Sequence, residues 1–170
     1  AEVEKLGVVA IGWKELRDLS RYGDHEAVKG ALRKAYPGWS EGGVANAASQ
    51  LHRFVSGMSE GAYVLTPVKA PREILVGTVA GADLYDPSKI SDFYPNVRPV
   101  KWLQKKISRD SLPADFRNSI GSALTLFSLA SYKDVLERLL TGEPPTLPSQ
   151  PTVSLYNETK AKASELIEDL

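Results

Sequence analysis

Cysteine is absent from this sequence, which excludes disulfides, thiolate metal sites and thiol nucleophiles together. That composition suits a reducing cytoplasm, and the protein is expected there. Long apolar runs are also missing. None approaches the roughly 20 residues that cross a bilayer, and the opening stretch AEVEKLGVVAIGW, with two acids and a short apolar run, does not read as a signal peptide. Histidine is scarce. His25 and His52 fall on different predicted helices and make no HxxxH spacing, so no metal ligand set is expected. There is no GxSxG, no GxxxxGK[ST], no GxGxxG, and no Pro-Asp then Glu-x-Lys nuclease pattern. Asp83 and Asp86 read as a strand-end turn before Pro87 rather than a carboxylate pair. No nucleophile–base pair can be named, so the chain is expected to be non-catalytic, without cofactor or metal.

What is present is an ordinary globular composition in 170 residues, enough for one domain and a tail. Net charge is zero, but it is unevenly distributed. From Glu143 onward five acids outweigh Lys160 and Lys162, a net of −3, so the body carries +3. Within it, Arg98, Lys101, Lys105, Lys106, Arg109 and Arg117 stand against Asp110 and Asp115, a local net of +4. One basic segment on a near-neutral domain fits local phosphate contact, or simply a solvated face.

Periodicity supplies the elements. GVVAIGW, residues 7–13, reads as a buried strand. Residues 24–36 place apolar side chains at 27, 28, 31, 32 and 35, a helical spacing with Asp24 as N-cap, stopped by Pro37-Gly38. Trp39 to Val44 reads as a small-residue loop, and Asn46 to Met58 as a second helix. Residues 62–69 and 73–85 form a strand pair turned at Ala70-Pro71-Arg72, with Gly77 and Gly81 as bends or bulges. Asn96 to Leu103 reads as a strand that Pro99 demotes to an edge or breaks. A helical turn is expected after Pro113, a short apolar run at Leu124–Leu129, and a helix at 131–140 with a Ser N-cap and terminal Gly142. Residues 1–142 are thus expected to form an α+β domain: a curved mixed sheet, or partial barrel, flanked by helices. Residues 143–153 hold four prolines and read as an extended linker. Residues 154–170 read as the start of a helix leading to a further domain.

The chemistry on offer is aromatic side chains near polar edge-readers. Trp13 ends the first strand, Trp39 lies in the glycine loop, Trp102 sits in KWLQKK, and Tyr85, Phe93 and Tyr94 lie in DLYDPSKISDFYPN. Aromatic walls with nearby amides are what an extruded base needs. The same tryptophans also suit the ends of a core.

The order of elements ending in VKWL resembles the PUA-like superfamily, which includes the EVE and YTH modified-base readers. IGWKELRDL, NAASQLHRFVSGM, AYVLTPVK and ILVGTVAGADLYDP…RPVKWL resemble the N-terminal domain of Mrr-type modification-dependent restriction endonucleases, over about residues 7–140. ETKAKASELIEDL resembles the lead-in to their nuclease domain. The resemblance implies that Trp102 is one wall of a base cage. It expects a second tryptophan where this sequence has Ala47, leaving Trp39 or Trp13 for that wall, with Asn46 and Gln50 as edge-readers. Lys101, Lys105, Lys106 and Arg109 are the expected phosphate contacts. The implied function is a specificity domain that flips and reads a modified base in double-stranded DNA for an attached nuclease, with oligomerisation through the missing domain. An RNA-binding PUA-like domain, a protein-interaction or autoinhibitory module, and a nucleotide sensor are the alternatives.

Overall fold

The computed structural model describes residues 2–121 and 126–143. The expected linker at 143–153, apart from Glu143, and the expected helix at 154–170 lie outside the described residues, as does the start of the Leu124–Leu129 run. The chain divides into two compact units, Ala1–Ala130 and Ser131–Leu170.

The first unit is a curled sheet forming a half-barrel flanked by helices. Its strands are β1 (Val8–Ile11), β2 (Tyr63–Val68), β3 (Glu73–Val79), β4 (Leu84–Tyr85), β5 (Asn96–Trp102) and β6 (Ile107–Ser108). The order is β1-β5-β3-β2, with β4 also on β5 and β6 also on β3. Every pairing among the described residues is antiparallel, so the strand directions are not mixed. Hairpin-length connections such as that between Val68 and Glu73 allow this, whereas parallel neighbours need long crossovers.

Strand β5 corrects the sequence reading. It is neither an edge nor broken: β1 pairs along one side, and β3 and β4 share the other. Pro99 is tolerated because of where its missing N–H points. Its carbonyl accepts from Ala80 N on the β3 side, while Val100 N donates to Gly7 O on the β1 side. The absent donor therefore faces the break between Val79 and Leu84, where β3 has left the ladder and β4 has not begun. That break also divides the single strand expected at 73–85. Gly77 is not a bulge; it sits in regular register opposite Trp102.

The helices are α1 (Glu2–Leu6), α2 (His25–Ala35), α3 (Glu41–His52), α4 (Ala114–Ile120) and, in the second unit, α5 (Lys133–Thr141). Asp24 caps α2 as expected, accepting from Ala27 N at 2.8 Å. Helix α3 begins five residues before the expected Asn46. Ser40 is its N-cap, accepting from Gly43 N at 3.1 Å. Glycine in a helix interior costs about 1 kcal/mol, but Gly42 and Gly43 lie in the first turn, where backbone N–H groups have no intrahelical partner to lose. Arg33 adds a two-pronged bond to Glu41, at 3.0 and 2.7 Å, which ties the ends of α2 and α3. A π-helical turn, Arg53–Gly57, replaces the expected last turns. Helix α5 starts at Lys133 without a side-chain cap, not at the expected serine, and ends at Gly142 with φ +84°.

The main core joins β1 to α2 and α3 through Ile11, Leu16, Leu19, Leu32, Val44 and Leu51, with Ala47 and Ala48 letting the helices approach. Each larger side chain there contributes about 1.5–3 kcal/mol by burial. A second cluster, Val64, Val79 and Val100, has Trp102, Val9 and Met58 packed on it, and Val9 and Met58 touch the first cluster as well.

Candidate functional site

The side chains singled out from the sequence are placed in several locations. Trp102 ends β5 half-buried. Its indole N–H donates to Val3 O of α1 at 3.0 Å, and its six-membered ring lies against Gly77. Trp13 packs on the other core, with α2 and α3. Trp39 lies past Pro37-Gly38 and stacks on Tyr36, with centroids 4.4 Å apart and planes 16° apart. Burial there pushes the Tyr36 phenol pKa up, with Glu15 adding to it.

Asn46 and Gln50 are brought together on α3, but largely for each other. Gln50 Nε2 donates to Asn46 Oδ1 at 3.2 Å, and Gln50 Oε1 accepts from Leu126 N at 2.9 Å. Gln50 is buried, so both ends of its amide serve the fold, whereas Asn46 is exposed. Ala47 is 4% exposed and faces the core.

In the basic segment, Lys101, Lys105 and Lys106 are exposed around the turn from β5 to β6. Lys106 pairs with Glu4 at 3.0 Å, and its hydrogen bond holds the Glu4 carboxyl below its ordinary pKa. Arg109 is half-buried, and its Nε has no hydrogen-bond partner among the described residues. Arg98 turns inward, donating to Met58 O just after the π-helical turn and, at 3.0 Å, to Val55 O within it. Asp83 approaches it at 4.0 Å. Burial pushes the Arg98 guanidinium pKa down, with Asp83 opposing. Arg98 therefore ties sheet to helix and is not available to a phosphate. Asp86 makes the expected turn, accepting from Ser88 N and Ser88 Oγ at 3.0 and 2.6 Å.

Three of the five exposed aromatic side chains among the described residues gather at the opposite end of β5; Trp39 and Tyr63 lie elsewhere. Leu84, Tyr85, Phe93 and Tyr94 are 55%, 43%, 60% and 49% exposed, which is far from the usual fate of large apolar side chains. Tyr85 pairs in register with Asn96, as does Ile11 of β1. The next residue, Gly12, lies beside the neighbouring chain: a Cβ there would stand 3.5 Å from Phe93 O and 3.9 Å from the Tyr94 ring, both ordinary contacts. Lys14 then places its ammonium 4.2 Å from the centre of the Phe93 ring.

This end is held by Asn96, 1% exposed, which sequence reasoning passed over. Its Oδ1 accepts from Leu19 N at 3.0 Å and its Nδ2 donates to Arg17 O at 2.7 Å. These bonds fix a loop in which Trp13 (φ 63°, ψ 50°) and Arg17 (φ 56°, ψ −125°) both take positive φ. Behind that loop, Glu15, Tyr22 and the alanine face of α2 line an open depression of about 500 Å³.

The two histidines also meet. Their rings pack edge to face at 6.1 Å, and His25 Nε2 lies 3.1 Å from Ser49 Oγ. Among the described residues no cluster of three or more His, Asp or Glu side chains could hold a metal ion. None of the helices there is long and apolar enough to cross a membrane.

No curated protein and no solved structure matches the chain. A family model described as a domain of unknown function matches residues 2–130. That span takes in the half-barrel, the Trp102 contact to α1, the Asn96 latch and the Gln50 bond to Leu126, and the chain belongs to this family, the domain of unknown function DUF8426.

Proposed function

We propose that this domain is a DNA-recognition module that reads a modified base extruded from the duplex, and that it directs a nuclease carried by another domain. The observation that carries this reading is the exposed aromatic end of the sheet, where Tyr85, Phe93 and Tyr94 stand clear of the core and Lys14 sits over a ring face. Aromatic rings interleaved with cations are the chemistry that stacks a base and holds its phosphate. We assign the second wall to Trp13, which packs one side on the core but stays half-exposed next to Lys14 in the chain. Trp102 acts as a brace, since its N–H and ring face are already engaged by Val3 and Gly77.

The basic turn after β5 complements this. Asn96 and Trp102 are six residue steps apart along the strand, about 20 Å at ~3.3 Å per residue. At ~3.4 Å per base pair that is about six base pairs. One duplex can therefore meet the aromatic end and the cations Lys101, Lys105 and Lys106 together. A DNA target inside the cell also fits a cysteine-free chain and a cytoplasmic setting.

The test is a binding panel of short duplexes: unmodified, N6-methyladenine, 5-methylcytosine and 5-hydroxymethylcytosine, with matched RNA. The parent should bind DNA in a salt-dependent manner and prefer one modified duplex. Phe93→Ala and Tyr94→Ala remove exposed rings and should leave the fold intact. Each lost stacking contact should cost roughly 1–3 kcal/mol, about 5- to 150-fold in affinity for the preferred duplex. No DNA binding at micromolar protein in low salt would sink the proposal and favour a protein partner for the aromatic surface. Tighter binding to the matched RNA would move the target to RNA.

A further inference from the structure

We infer that the Asn96-latched loop, Trp13 to Arg21, is the phosphate-gripping element of the domain, with Lys14 and Arg17 holding the DNA backbone beside the base stacked on the aromatic end; this rests on the DNA reading above. Three observations carry it.

The first is placement. Lys14, Arg17 and Arg21 are exposed on one loop, and Lys14 already touches the aromatic end at Phe93. Neither Lys14 nor Arg17 forms an ion pair among the described residues, in contrast to Lys106 with Glu4 and Arg72 with Asp110. Asp18, the carboxylate beside Arg17, is turned to Ser20, accepting from its N and Oγ at 3.0 and 2.7 Å.

The second is strain. A bulky residue at positive φ is an outlier, and Arg17 at φ 56°, ψ −125° is in territory that glycine enters freely. The sequence places a long cation where glycine is the relaxed choice. Strained backbone of this kind persists where the surroundings over-determine it, and it gathers at binding sites.

The third is the device that over-determines it. Asn96 is buried and reaches 77 and 79 residues along the chain to bond Leu19 N and Arg17 O. An amide supplies both the donor and the acceptor that this pair requires. The carbonyl of Arg17 is thereby fixed while its residue stays exposed, so the guanidinium leaves the fold from a set position. Asn96 is thus a positioning residue acting through Arg17 and Lys14.

The experiment is fluorescence anisotropy across a salt titration, using the modified duplex that the parent prefers and its plain counterpart. Arg17→Ala and Lys14→Ala should each weaken both duplexes alike and reduce the slope of log affinity against log salt by about 0.9. Asn96→Asp keeps the acceptor for Leu19 and loses the donor to Arg17. In that background Arg17→Ala should cost clearly less than in the parent, because the guanidinium is no longer aimed; a purely structural Asn96 would leave the two penalties equal. If circular dichroism shows that Asn96→Asp does not fold, Arg17→Gly decides: it relieves the positive φ and removes the cation, so stability should hold or rise while the salt slope falls. A salt-dependent parent with unchanged slopes in both cation variants overturns this inference alone and assigns the phosphates to Lys101 and Lys105. A parent that binds no duplex overturns the DNA reading itself, and this inference with it.

Discussion

Replacing Gly77 by alanine tests how β3 and β5 are packed. A Cβ at Gly77 would stand 2.5 Å from Val100 Cγ1, 2.8 Å from Trp102 Cε3 and 3.0 Å from Lys101 O. Val100 is buried, and the Lys101 carbonyl belongs to a strand held in ladder register, so the crowding cannot be relieved by one flexible side chain. Alanine in a strand gains roughly 0.5–1 kcal/mol over glycine from backbone entropy, while overpacking costs about 1–3 kcal/mol. Crowding wins, for a net loss of about 1–2 kcal/mol. Gly81 is the control. Its nearest neighbour would be Pro99 Cγ at 3.6 Å, an ordinary contact, and its φ is open to alanine. Gly81→Ala should therefore stabilise, by about 0.4–1 kcal/mol. In thermal unfolding at ~2–4 °C per kcal/mol, Gly77→Ala should lower Tm by roughly 2–8 °C and Gly81→Ala should raise it by roughly 1–4 °C. Tryptophan fluorescence should report movement of Trp102 in the first variant only. If Gly77→Ala is as stable as the parent, or if the two variants shift Tm in the same direction, the tight crossing of β3 and β5 is wrong.

Two further predictions concern charge. Arg98→Met should cost at least about 3 kcal/mol in urea unfolding, because it strands the Asp83 carboxylate, only 11% exposed, without its counter-charge; adding Asp83→Leu should recover part of the loss, and full additivity would refute the pairing. The carboxyls of Glu4, Glu26 and Glu41 are held below their ordinary 4.5 by hydrogen bonds from Lys106, Lys29 and Arg33. The folded chain therefore binds fewer protons there than the unfolded one, so these pairs stabilise above about pH 4.5 and that stability is lost as pH falls below it. Urea midpoints should be flat from about pH 7 to 5 and then decline, less so in high salt; a decline already complete by about pH 5 would refute the assignment to these three carboxyls.

What was legible in the sequence is what acts over a few residues. The apolar spacing at 27, 28, 31, 32 and 35, the Asp24 cap, the Ala70–Arg72 hairpin and the Gly142 stop each depend on neighbours within about one turn, and each is found in place. The half-barrel follows from short strands joined by short connections. Where a local rule was outweighed, the reason lies elsewhere in the chain. Two glycines did not delay α3, because Ser40 and Arg33 compensate at its start. Pro99 did not demote β5, because its missing donor meets a gap between two other strands. The candidate site was decided almost wholly by tertiary structure. Charge counting cannot reveal that Arg98 turns inward, and the residue types in KWLQKK cannot reveal that Trp102 is engaged by Val3. Tyr85, Phe93 and Tyr94 were visible as aromatics, but only the antiparallel register of β1, β4 and β5 sets them at the end of the sheet that carries Lys14. Asn96 gave no signal, because its partners lie 77 and 79 residues away, and no local pattern encodes a hydrogen bond that only the folded sheet brings within reach.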